Sequence, residues 1–373
     1  MTKTDLRNKI IESLNSQGFH LNGTLNPTFL TKDHYKQIQS HARLEQLSLQ
    51  KHFLESNVEI VKQFSVNGKD INPDKINLQL RLVEENSIEE TLYRWWNLMW
   101  WSVPYQKAYG RQMRFLLWDT EHNCPFGLIG LQSPVLKMAV RDNFLKIKKA
   151  DLDYVVNKSL QAQRLGALPP YNQLIGGKMV ALSLTSTELR KMYKKKYDGK
   201  PTIIKGRIIE PDLLFITTTS AFGRSSIYNR LTYEGELVAK SLGYTKGAGT
   251  FHIPHELYPF IQKFLERRNI NTQTTFGYGP SRKVKLLDKA FSLLDLKEYH
   301  YHNIHREYFL FPLAKNLQRV IEKDVRPIFY KRNLDDLTHY WKSRWAEKRT
   351  KTNKEWRNFN FNNYLDNAGI IFH

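Results

Sequence analysis

Residues 214–231 read LFITTTSAFGRSSIYNRL, and the interpretation of the whole chain starts from this stretch. Its apolar start and the three threonines that follow predict a buried strand over residues 213–219. The segment Ser-Ala-Phe-Gly at 220–223 breaks that pattern, and the polar segment from Arg224 predicts a helix that continues to about residue 241. A strand that leads into a helix N-terminus through serine, arginine and backbone N–H groups is a typical place for a bound anion. Alternatively, the threonines and serines only satisfy backbone amides at this junction.

Patterns on both sides of this stretch predict that the strand belongs to a sheet. Alternating and continuous apolar runs indicate strands, and apolar residues at helical spacing indicate helices. In chain order the predicted elements are the two strands of a hairpin (113–120 and 126–133), a strand (153–166), a helix opened by two prolines (171–183) and, beyond residue 241, a glycine-rich strand (242–253).

The flanking regions are mostly helical by the same criterion. Apolar residues recur at helical spacing through the first 105 residues, and Trp95-Trp96 with Trp100-Trp101 predict a buried stripe against the neighbouring region. The sequence therefore predicts an α/β (α+β) fold with a central mixed sheet flanked by helices. The predicted domains are an N-terminal helical region (1–105), a core that contains the sheet (106–265) and a C-terminal region with a basic, aromatic, helical tail (266–373).

Charge is the unusual property of the composition. The chain of 373 residues has 57 Lys and Arg against 36 Asp and Glu, which gives a formal net charge of +21. Aromatic residues make up 13% of the chain, and aromatics interleaved with cations suit base stacking as well as phosphate contact. This combination predicts a polyanionic partner, namely nucleic acid, with DNA favoured over RNA. The alternative is a basic surface without a dedicated ligand.

Cysteine content and hydropathy bear on the compartment. The single cysteine, Cys124, excludes an intramolecular disulfide framework and a metal site made of several cysteines, so we expect a reducing cytoplasm. The N-terminus MTKTDLRNKIIESLN lacks the apolar core of a signal peptide, and no window approaches 18 uncharged apolar residues. We therefore expect a cytoplasmic protein with no membrane partner.

Several long motifs of the chain resemble the DruA family, the anti-phage proteins of Druantia defence systems. The resemblance covers residues 118 to 345 in order and spacing. It implies a role in antiviral defence together with partner proteins of the same system, such as a helicase. The motifs are RDNFLKI (141–147), LPPYNQLIGGKMVALS (168–183), TTTSAFGRSSIYNRL (217–231), LGYTKGAGTFHI (242–253) and HREYFLFPLAKN (305–316).

The order of the predicted elements also resembles the GNAT superfamily of acyltransferases. In that superfamily, a tyrosine in the helix after the penultimate strand often acts as general acid toward the departing thiolate, and Tyr228 matches its place. The superfamily holds the coenzyme A pyrophosphate on a glycine-rich loop that enters the earlier helix. Here residues 163–170 read QRLGALPP, and the two prolines remove amide donors from that loop. The resemblance therefore implies a GNAT-like scaffold that has lost acyl-coenzyme A, and the cofactor stays undetermined.

Other site patterns are weaker. The histidines His300, His302 and His305 with Glu307 have a spacing that metal ligands can adopt, but a surface or hydrogen-bonding role is expected and no metal site is predicted. The chain lacks the Gly-x-Ser-x-Gly elbow, and Gly176-Gly177-Lys178 lacks the upstream glycine of a phosphate-binding Walker loop.

The predicted site combines the helix that begins at Arg224 with the helix at 171–183. The main hypothesis is a defence protein that binds nucleic acid through a basic cleft in the GNAT-like domain. In a second hypothesis, a transferase of acyl or other small groups, Tyr228 is the general acid and Ser225 a candidate nucleophile. A third is an adaptor that docks an acidic partner. The predicted phosphate contacts are Arg224, Arg230, Asn229, Lys178, Tyr171, Asn172, Lys194, Lys195 and Lys196.

Overall fold

The computed structural model describes residues 2–22, 24–100, 103, 108–203, 205–272, 282–296, 298–299, 301–323 and 325–367. This part of the chain contains both strands and helices. The strands are β1 Phe19–Asn22, β2 Thr24–Pro27, β3 Leu78–Leu82, β4 Gln112–Asp119, β5 Cys124–Gln132, β6 Ser159–Ala167, β7 Phe215–Thr219, β8 Thr232–Tyr233, β9 Glu236–Leu237, β10 Lys240–Tyr244 and β11 Glu307–Pro312.

The helices vary from single turns to five turns. Short 3₁₀ turns include Tyr171–Leu174 and Tyr228–Arg230, and a π-helical segment, Lys342–Ala346, joins α13 to α14. The α-helices are α1 Lys3–Ser16, α2 Lys32–Leu49, α3 Lys51–Ser56, α4 Val58–Gln63, α5 Ile88–Met99, α6 Ala139–Phe144, α7 Leu152–Asn157, α8 Gly176–Ser183, α9 Thr187–Tyr197, α10 Tyr258–Glu266, α11 Arg282–Leu293, α12 Leu317–Lys323, α13 Leu334–Trp341, α14 Glu347–Thr352 and α15 Phe361–Asp366.

Seven strands form the central sheet in the order β10-β11-β7-β6-β5-β4-β3. The pair β6 and β7 is parallel, and the other neighbours are antiparallel. The predicted mixed sheet flanked by helices is therefore confirmed, and so are the hairpin, which is β4 and β5, and the buried strand at 213–219, which is β7. The GNAT-like detail of the sheet stays a prediction.

Both faces of the sheet are covered, as the alternation of β4 shows. Phe115 and Leu117 pack into one core with α8 and α13, whereas Leu116 and Trp118 pack into the opposite core with α5. This alternation is what a strand buried on both faces requires. Two strands of the sheet, β3 and β11, come from outside residues 106–265. The division of the chain at residues 105 and 265 stays a prediction.

The paired tryptophans occupy different environments. Trp95 and Trp96 are buried, and they contact the ring of Phe361 from α15. This places both in the predicted stripe between the N-terminal helices and the sheet. Trp100 is half-buried, its indole lies against the Cα of Gly166 on β6, and Trp101 lies outside the described residues.

A separate hydrophobic core joins the first elements of the chain to α10 and α11. Apolar side chains of α1, β1 and β2, with the start of α2, pack against α10 and α11. The N-terminal helices therefore divide between two cores, because α3, α4 and α5 pack on the sheet instead. No helix among the described residues combines the length and the apolar composition that crossing a bilayer requires.

The prediction of a helix over residues 224–241 is wrong. The segment forms one 3₁₀ turn, Tyr228–Arg230, and then the small hairpin of β8 and β9. Glu234 and Gly235 both adopt positive φ at the tip of this hairpin, a geometry that favours glycine and matches the twist of the two strands. The dipeptide Glu-Gly was the local signal for this turn.

Two further predictions need correction. Residues 153–157 of the predicted strand 153–166 belong to helix α7, and the strand β6 begins only at Ser159. The predicted helix 171–183 is interrupted because Ile175 adopts φ of 60°, which ends the 3₁₀ turn before α8 begins at Gly176. In both places the backbone changes direction inside a segment that the pattern assigned to one element, and the periodicity does not reveal this change.

A buried polar network fixes the hairpin of β4 and β5 to the turn before α8. The Tyr171 hydroxyl donates to Asp119 Oδ2 at 2.8 Å, and the Cys124 sulfur lies 3.2 Å from the same hydroxyl. His122 Nδ1 contacts the same Asp119 oxygen at 2.7 Å. Burial raises the pKa of Cys124 to about 12, so this thiol stays protonated at neutral pH. The network is structural, because its carboxylate is fully buried.

We expect Tyr171→Phe to lower the free energy of unfolding by about 1–3 kcal/mol, because a buried carboxylate loses a donor. Tyr197→Phe is the matched control, since its hydroxyl donates to the Gln112 carbonyl at 2.9 Å near the surface. Urea denaturation of both variants measures the difference. Equal losses in the two variants would contradict a structural role for the network.

Candidate functional site

A cavity of about 540 Å³ opens where β6 and β7 separate. The paired stretch of the two strands begins with Ser159 opposite Phe215. It ends with Ala162 opposite Thr218. Beyond this point β6 continues to Ala167 in register with β5, whereas the chain after β7 turns away. Residues 161–167, 218–222 and 224–228 therefore line the cavity from different sides. The carboxyl end of a parallel strand pair is a common place for ligand binding in α/β proteins.

The charged residues of the cavity wall all carry positive charge. Within the described part of the chain, no aspartate or glutamate lines the cavity. Low-dielectric walls strengthen the field of like charges, so the cavity favours an anion. The cations come from α2, β6, α8, the turn after β7 and the residue before β11, and they are Lys32, Arg164, Lys178, Arg224 and Arg306.

Arg164 is the buried cation of β6. It is 5% exposed, its Nε donates to Asn97 Oδ1 of α5, and its Nη1 donates to the Gln163 carbonyl at 2.8 Å. These two bonds hold the guanidinium in place from α5 and from the strand itself. These two acceptors are a side-chain amide and a backbone carbonyl.

Arg306 places a second guanidinium at the cavity. Its Nε is buried and has no hydrogen-bond partner among the described residues. Loss of water around the guanidinium, and then the charge of Arg164, lower the pKa of Arg306 to about 10. The group is still a cation at neutral pH, and the lowered pKa means that its charged form is held unfavourably. An anion in the cavity would relieve this cost.

The N-terminus of α8 faces the same cavity. Ile175 and Gly177 line it, and the N-terminus carries no side-chain cap. A Cβ atom at Gly177 would lie 3.3 Å from the Ile227 side chain, so a larger residue would narrow this wall. The two prolines at 169–170 precede this turn and do not remove the amides of α8. First-turn N–H groups without internal partners bind anions well.

The C-terminal helices hold this turn in position. Trp341 Nε1 donates to the Ile175 carbonyl at 3.2 Å, and Arg349 Nε donates to the Gln173 carbonyl at 3.1 Å. The predicted basic, aromatic tail therefore has a structural part, because its buried Trp341 and Trp356 belong to the core under the sheet. Lys178 lies over the Trp345 ring at 4.4 Å, so the tail also packs against a cation of the cavity wall.

The turn after β7 is organised by the carboxylate of Glu307, which is 4% exposed. Glu307 Oε2 accepts from the Ser225 N–H at 3.0 Å and from Asn229 Nδ2 at 2.8 Å. Glu307 Oε1 accepts from the Ser241 hydroxyl of β10 at 2.8 Å. The Glu307 N–H in turn donates to the Gly223 carbonyl. The turn is thus bound to the first residue of β11 and gains its shape from that strand.

Tyr228 lines the cavity with a buried side chain. Its ring contacts Phe309 at 5.1 Å and Phe311 at 5.9 Å between centroids. Burial raises the pKa of its hydroxyl well above the ordinary value, so the group is a proton donor at neutral pH. The Tyr228 N–H donates to the Ser225 hydroxyl at 3.3 Å, which fixes the two residues relative to each other.

Five predicted site residues meet at the cavity, although they do not share a helix. The expected helical spacing of Arg224, Tyr228 and Arg230 is wrong, because the segment is a turn held by Glu307. Arg230 is exposed, and its carbonyl accepts from Lys178 Nζ at 3.3 Å. Asn229 uses its amide on Glu307. The five are Arg224, Ser225, Tyr228, Asn172 and Lys178.

The remaining predicted residues lie away from the cavity wall. Tyr171 is fully buried, and its hydroxyl belongs to the Asp119 network, so a phosphate contact would require breaking that network. Lys194 and Lys195 are exposed on α9, and Lys196 Nζ donates to the Gln112 carbonyl at 3.0 Å. These lysines form a basic surface of their own.

The sequence reasoning missed Lys32, Arg164 and Arg306 as site residues. One signal was present, because Arg164 stands in an otherwise apolar strand segment and a buried arginine needs a reason. Arg306 and Lys32 gave no comparable signal. Their positions depend on β11 pairing with β7 and on α2 reaching the sheet, and neither contact is local in the sequence.

The histidines with metal-like spacing and Glu307 lie in different environments. His302 is buried beside His252 and Phe251, and loss of water lowers its pKa to about 2, so it is neutral. His305 is exposed, Glu307 serves the turn, and His300 lies outside the described residues. Within the described residues no group of three or more histidine, cysteine, aspartate or glutamate side chains is placed to hold a metal ion.

Comparison with known proteins identifies similar sequences. The sequence model of a family described as DruA, Druantia protein DruA, matches residues 29–323. Druantia protein DruA of Escherichia coli (strain UMEA 4076-1) is 32% identical over 367 residues, which are 96% of this chain and 90% of that protein. No solved structure matches the chain significantly. The range 29–323 contains every residue that lines the cavity.

We expect Glu307→Ala to lower the free energy of unfolding by about 2 kcal/mol or more, because three donors, from Ser225, Asn229 and Ser241, lose their acceptor. Glu307→Gln keeps an acceptor toward Ser225 and Asn229, so its loss should be smaller. Glu256→Ala, at an exposed position, is the control. Thermal and urea unfolding measure all three variants. A loss in Glu307→Gln as large as in Glu307→Ala would mean that charge, rather than acceptor geometry, holds the turn.

Proposed function

This chain belongs to the DruA family of Druantia proteins, a family of anti-phage defence components, and we propose that it acts in that defence by binding nucleic acid through its basic cavity. The observation that carries the proposal is the charge of the cavity wall. Five cations line it and no carboxylate does so among the described residues. A phosphate of a nucleic-acid strand matches this field, and the net charge of +21 extends it over the surface.

The cavity and the outer surface would have different tasks. Arg224 and Lys178, with the amides at the start of α8, would hold a phosphate at the cavity. The exposed Arg230 and the lysines Lys194 and Lys195 of α9 would add contacts that do not depend on sequence. A duplex is too wide for the cavity, since a cube of 540 Å³ has an edge of about 8 Å and the major groove alone is ≈12 Å wide. The ligand in the cavity would be an unpaired nucleotide.

Other proteins of the defence system would supply or process this strand. A helicase exposes single strands, which are the form that the cavity can accept. DNA is the preferred partner in this proposal, and the cytoplasm is the expected compartment. The GNAT-like scaffold would serve as a binding platform whose sheet opening holds the strand.

We expect the double variant Arg224→Ala, Arg230→Ala to bind single-stranded DNA less tightly at every salt concentration. The slope of log K against log salt should fall by roughly 0.7 for each phosphate that the variant no longer neutralises. The charge-matched control is Lys263→Ala, Lys289→Ala, at exposed positions of α10 and α11. Titration of fluorescent strands measures both variants. Identical reductions of affinity in the two would place binding on general charge and remove the cavity from the proposal.

A transferase of acyl or other small activated groups is the second candidate. The observation in its favour is Tyr228, a buried tyrosine at the cavity whose hydroxyl keeps its proton at neutral pH. Such a group can act as general acid toward a leaving group in the cavity. Ser225 lies beside it, but its hydroxyl accepts from the Tyr228 N–H, and no histidine lines the cavity among the described residues.

Coenzyme A or a nucleotide would raise the melting temperature if this candidate were right, since a ligand at about 100 times its Kd stabilises by ≈2.7 kcal/mol. Tyr228→Phe should keep that stabilisation and lose transfer activity, because the ring remains and the proton donor is removed. Differential scanning fluorimetry measures the first property and a thiol-release assay the second. No shift with either ligand would exclude the transferase.

A further inference from the structure

Arg164 and Arg306 supply two of the five positive charges that line the cavity. Arg164 lowers the pKa of Arg306, so the two cations are close enough to repel each other. No aspartate or glutamate lines the cavity among the described residues, and Arg306 Nε has no hydrogen-bond partner among them. A wall of this kind favours an anion that carries more than one negative charge.

We propose that the cavity binds the terminal phosphomonoester of a nucleic-acid strand in preference to an internal phosphodiester. This inference rests on the proposed nucleic-acid function and names the part of the strand that the cavity takes. A phosphomonoester carries ≈ −1.5 to −2 charges at pH 7 and three terminal oxygens. An internal phosphodiester carries a single negative charge and two such oxygens. The larger charge of the monoester therefore gains more from the five cations of the wall than the single charge of the diester.

The size of the cavity favours a strand end for a second reason. An internal phosphate has nucleotides on both sides, so the strand must enter and leave. A terminal phosphate requires a single opening. The volume of about 540 Å³ lies within the ~300–1,000 Å³ range of pockets that take one small ligand. It therefore suits one terminal nucleotide better than a continuous strand.

Neutral groups of the wall suit the rest of a nucleotide. Gln132 and Gln161 line the cavity, and the Oε1 atom of each is buried without a hydrogen-bond partner among the described residues. An amide placed in this way can bond a sugar hydroxyl or a base amino group. Trp100 also lines the cavity and adds an aromatic surface. The wall therefore complements a phosphate together with a sugar or base, and free inorganic phosphate should compete poorly.

Four single-stranded DNA probes of one sequence test the inference. The strands are about 20 nucleotides long, which exceeds the ~4–16 nucleotide footprints of common single-strand sites. They carry a 5′-phosphate, a 3′-phosphate, hydroxyls at both ends, or no end at all because the strand is circular. One phosphorylated strand should bind roughly tenfold more tightly than the hydroxyl-ended and circular strands, as expected for additional charge-assisted hydrogen bonds. The preferred end tells which terminus enters.

Arg306→Gln should remove this preference, so the affinity for the phosphorylated strand should fall by clearly more than the affinity for the hydroxyl-ended strand, which keeps the surface phosphate contacts. Removal of a cation whose charged form is held unfavourably should not unfold the protein, and the melting temperature checks this. Arg306→Lys, which keeps the charge and loses the forked donors, should retain part of the preference. Lys289→Ala is the control that should retain all of it.

The dependence on pH supplies an independent readout. The second pKa of a phosphomonoester is ≈6, so the preference should grow as the pH rises from 5 to 7 and the dianion forms. No histidine or carboxylate among the described wall residues titrates in this window. The charged and titratable groups that face the cavity are Lys32, Arg164, Lys178, Arg224, Arg306 and Tyr228.

The outcomes separate the two proposals. If the circular strand binds as tightly as the phosphorylated strands and Arg224→Ala, Arg230→Ala weakens both, the nucleic-acid function stands and the preference for ends is refuted. If no strand binds in a way that depends on the cavity residues, the nucleic-acid function itself fails. If inorganic phosphate at millimolar concentration displaces the phosphorylated strand completely, the cavity recognises an isolated anion, and the inference of a terminal nucleotide is refuted.

Discussion

The carboxylate of Glu307 is the group on which the geometry of the site depends. It is buried at the first residue of β11, and donors from Ser225, Asn229 and Ser241 converge on it. These donors belong to the turn after β7 and to β10, so one carboxylate binds together three segments that are separated by up to 82 residues. Both carboxylate oxygens accept hydrogen bonds from the protein, and Glu307 is not among the residues that line the cavity. Buried polar groups of this kind specify one arrangement because leaving them unpaired is costly.

The separation of β6 from β7 provides the space that the turn surrounds. Strand pairing ends at Ala162 and Thr218, yet β6 stays in register with β5 to Ala167, so the sheet opens on one side. Cations from five segments line this opening, and no carboxylate is among the described residues of its wall. Elsewhere in the fold a buried arginine has a carboxylate beside it, as in the ion pair of Arg141 with Asp142. The excess of positive charge at the cavity is therefore a property of the site.

The sequence indicated the hairpin of β4 and β5 and the strand β7 correctly, because each is a short apolar run bounded by turn residues. It failed at residues 224–241, where serine and arginine after a strand resemble the start of a helix. Glu307 supplies acceptors to this turn from 82 residues away, which no local pattern can reveal. The predicted helical face of Arg224 and Tyr228 was wrong, and both residues line the cavity for a different reason, the shape of the turn.

What the sequence by itself determined is the mixed α/β class, the excess of positive charge and, through its motifs, membership of the DruA family. These depend on composition, short-range periodicity and the order of residues. Tertiary structure alone decided which cations meet. Lys32, Arg164 and Arg306 lie on α2, β6 and the approach to β11, and they come together because β11 inserts between β10 and β7 while β6 and β7 diverge. Long-range strand pairing and burial on both faces of the sheet set that arrangement, and neither is encoded within a local stretch of the chain.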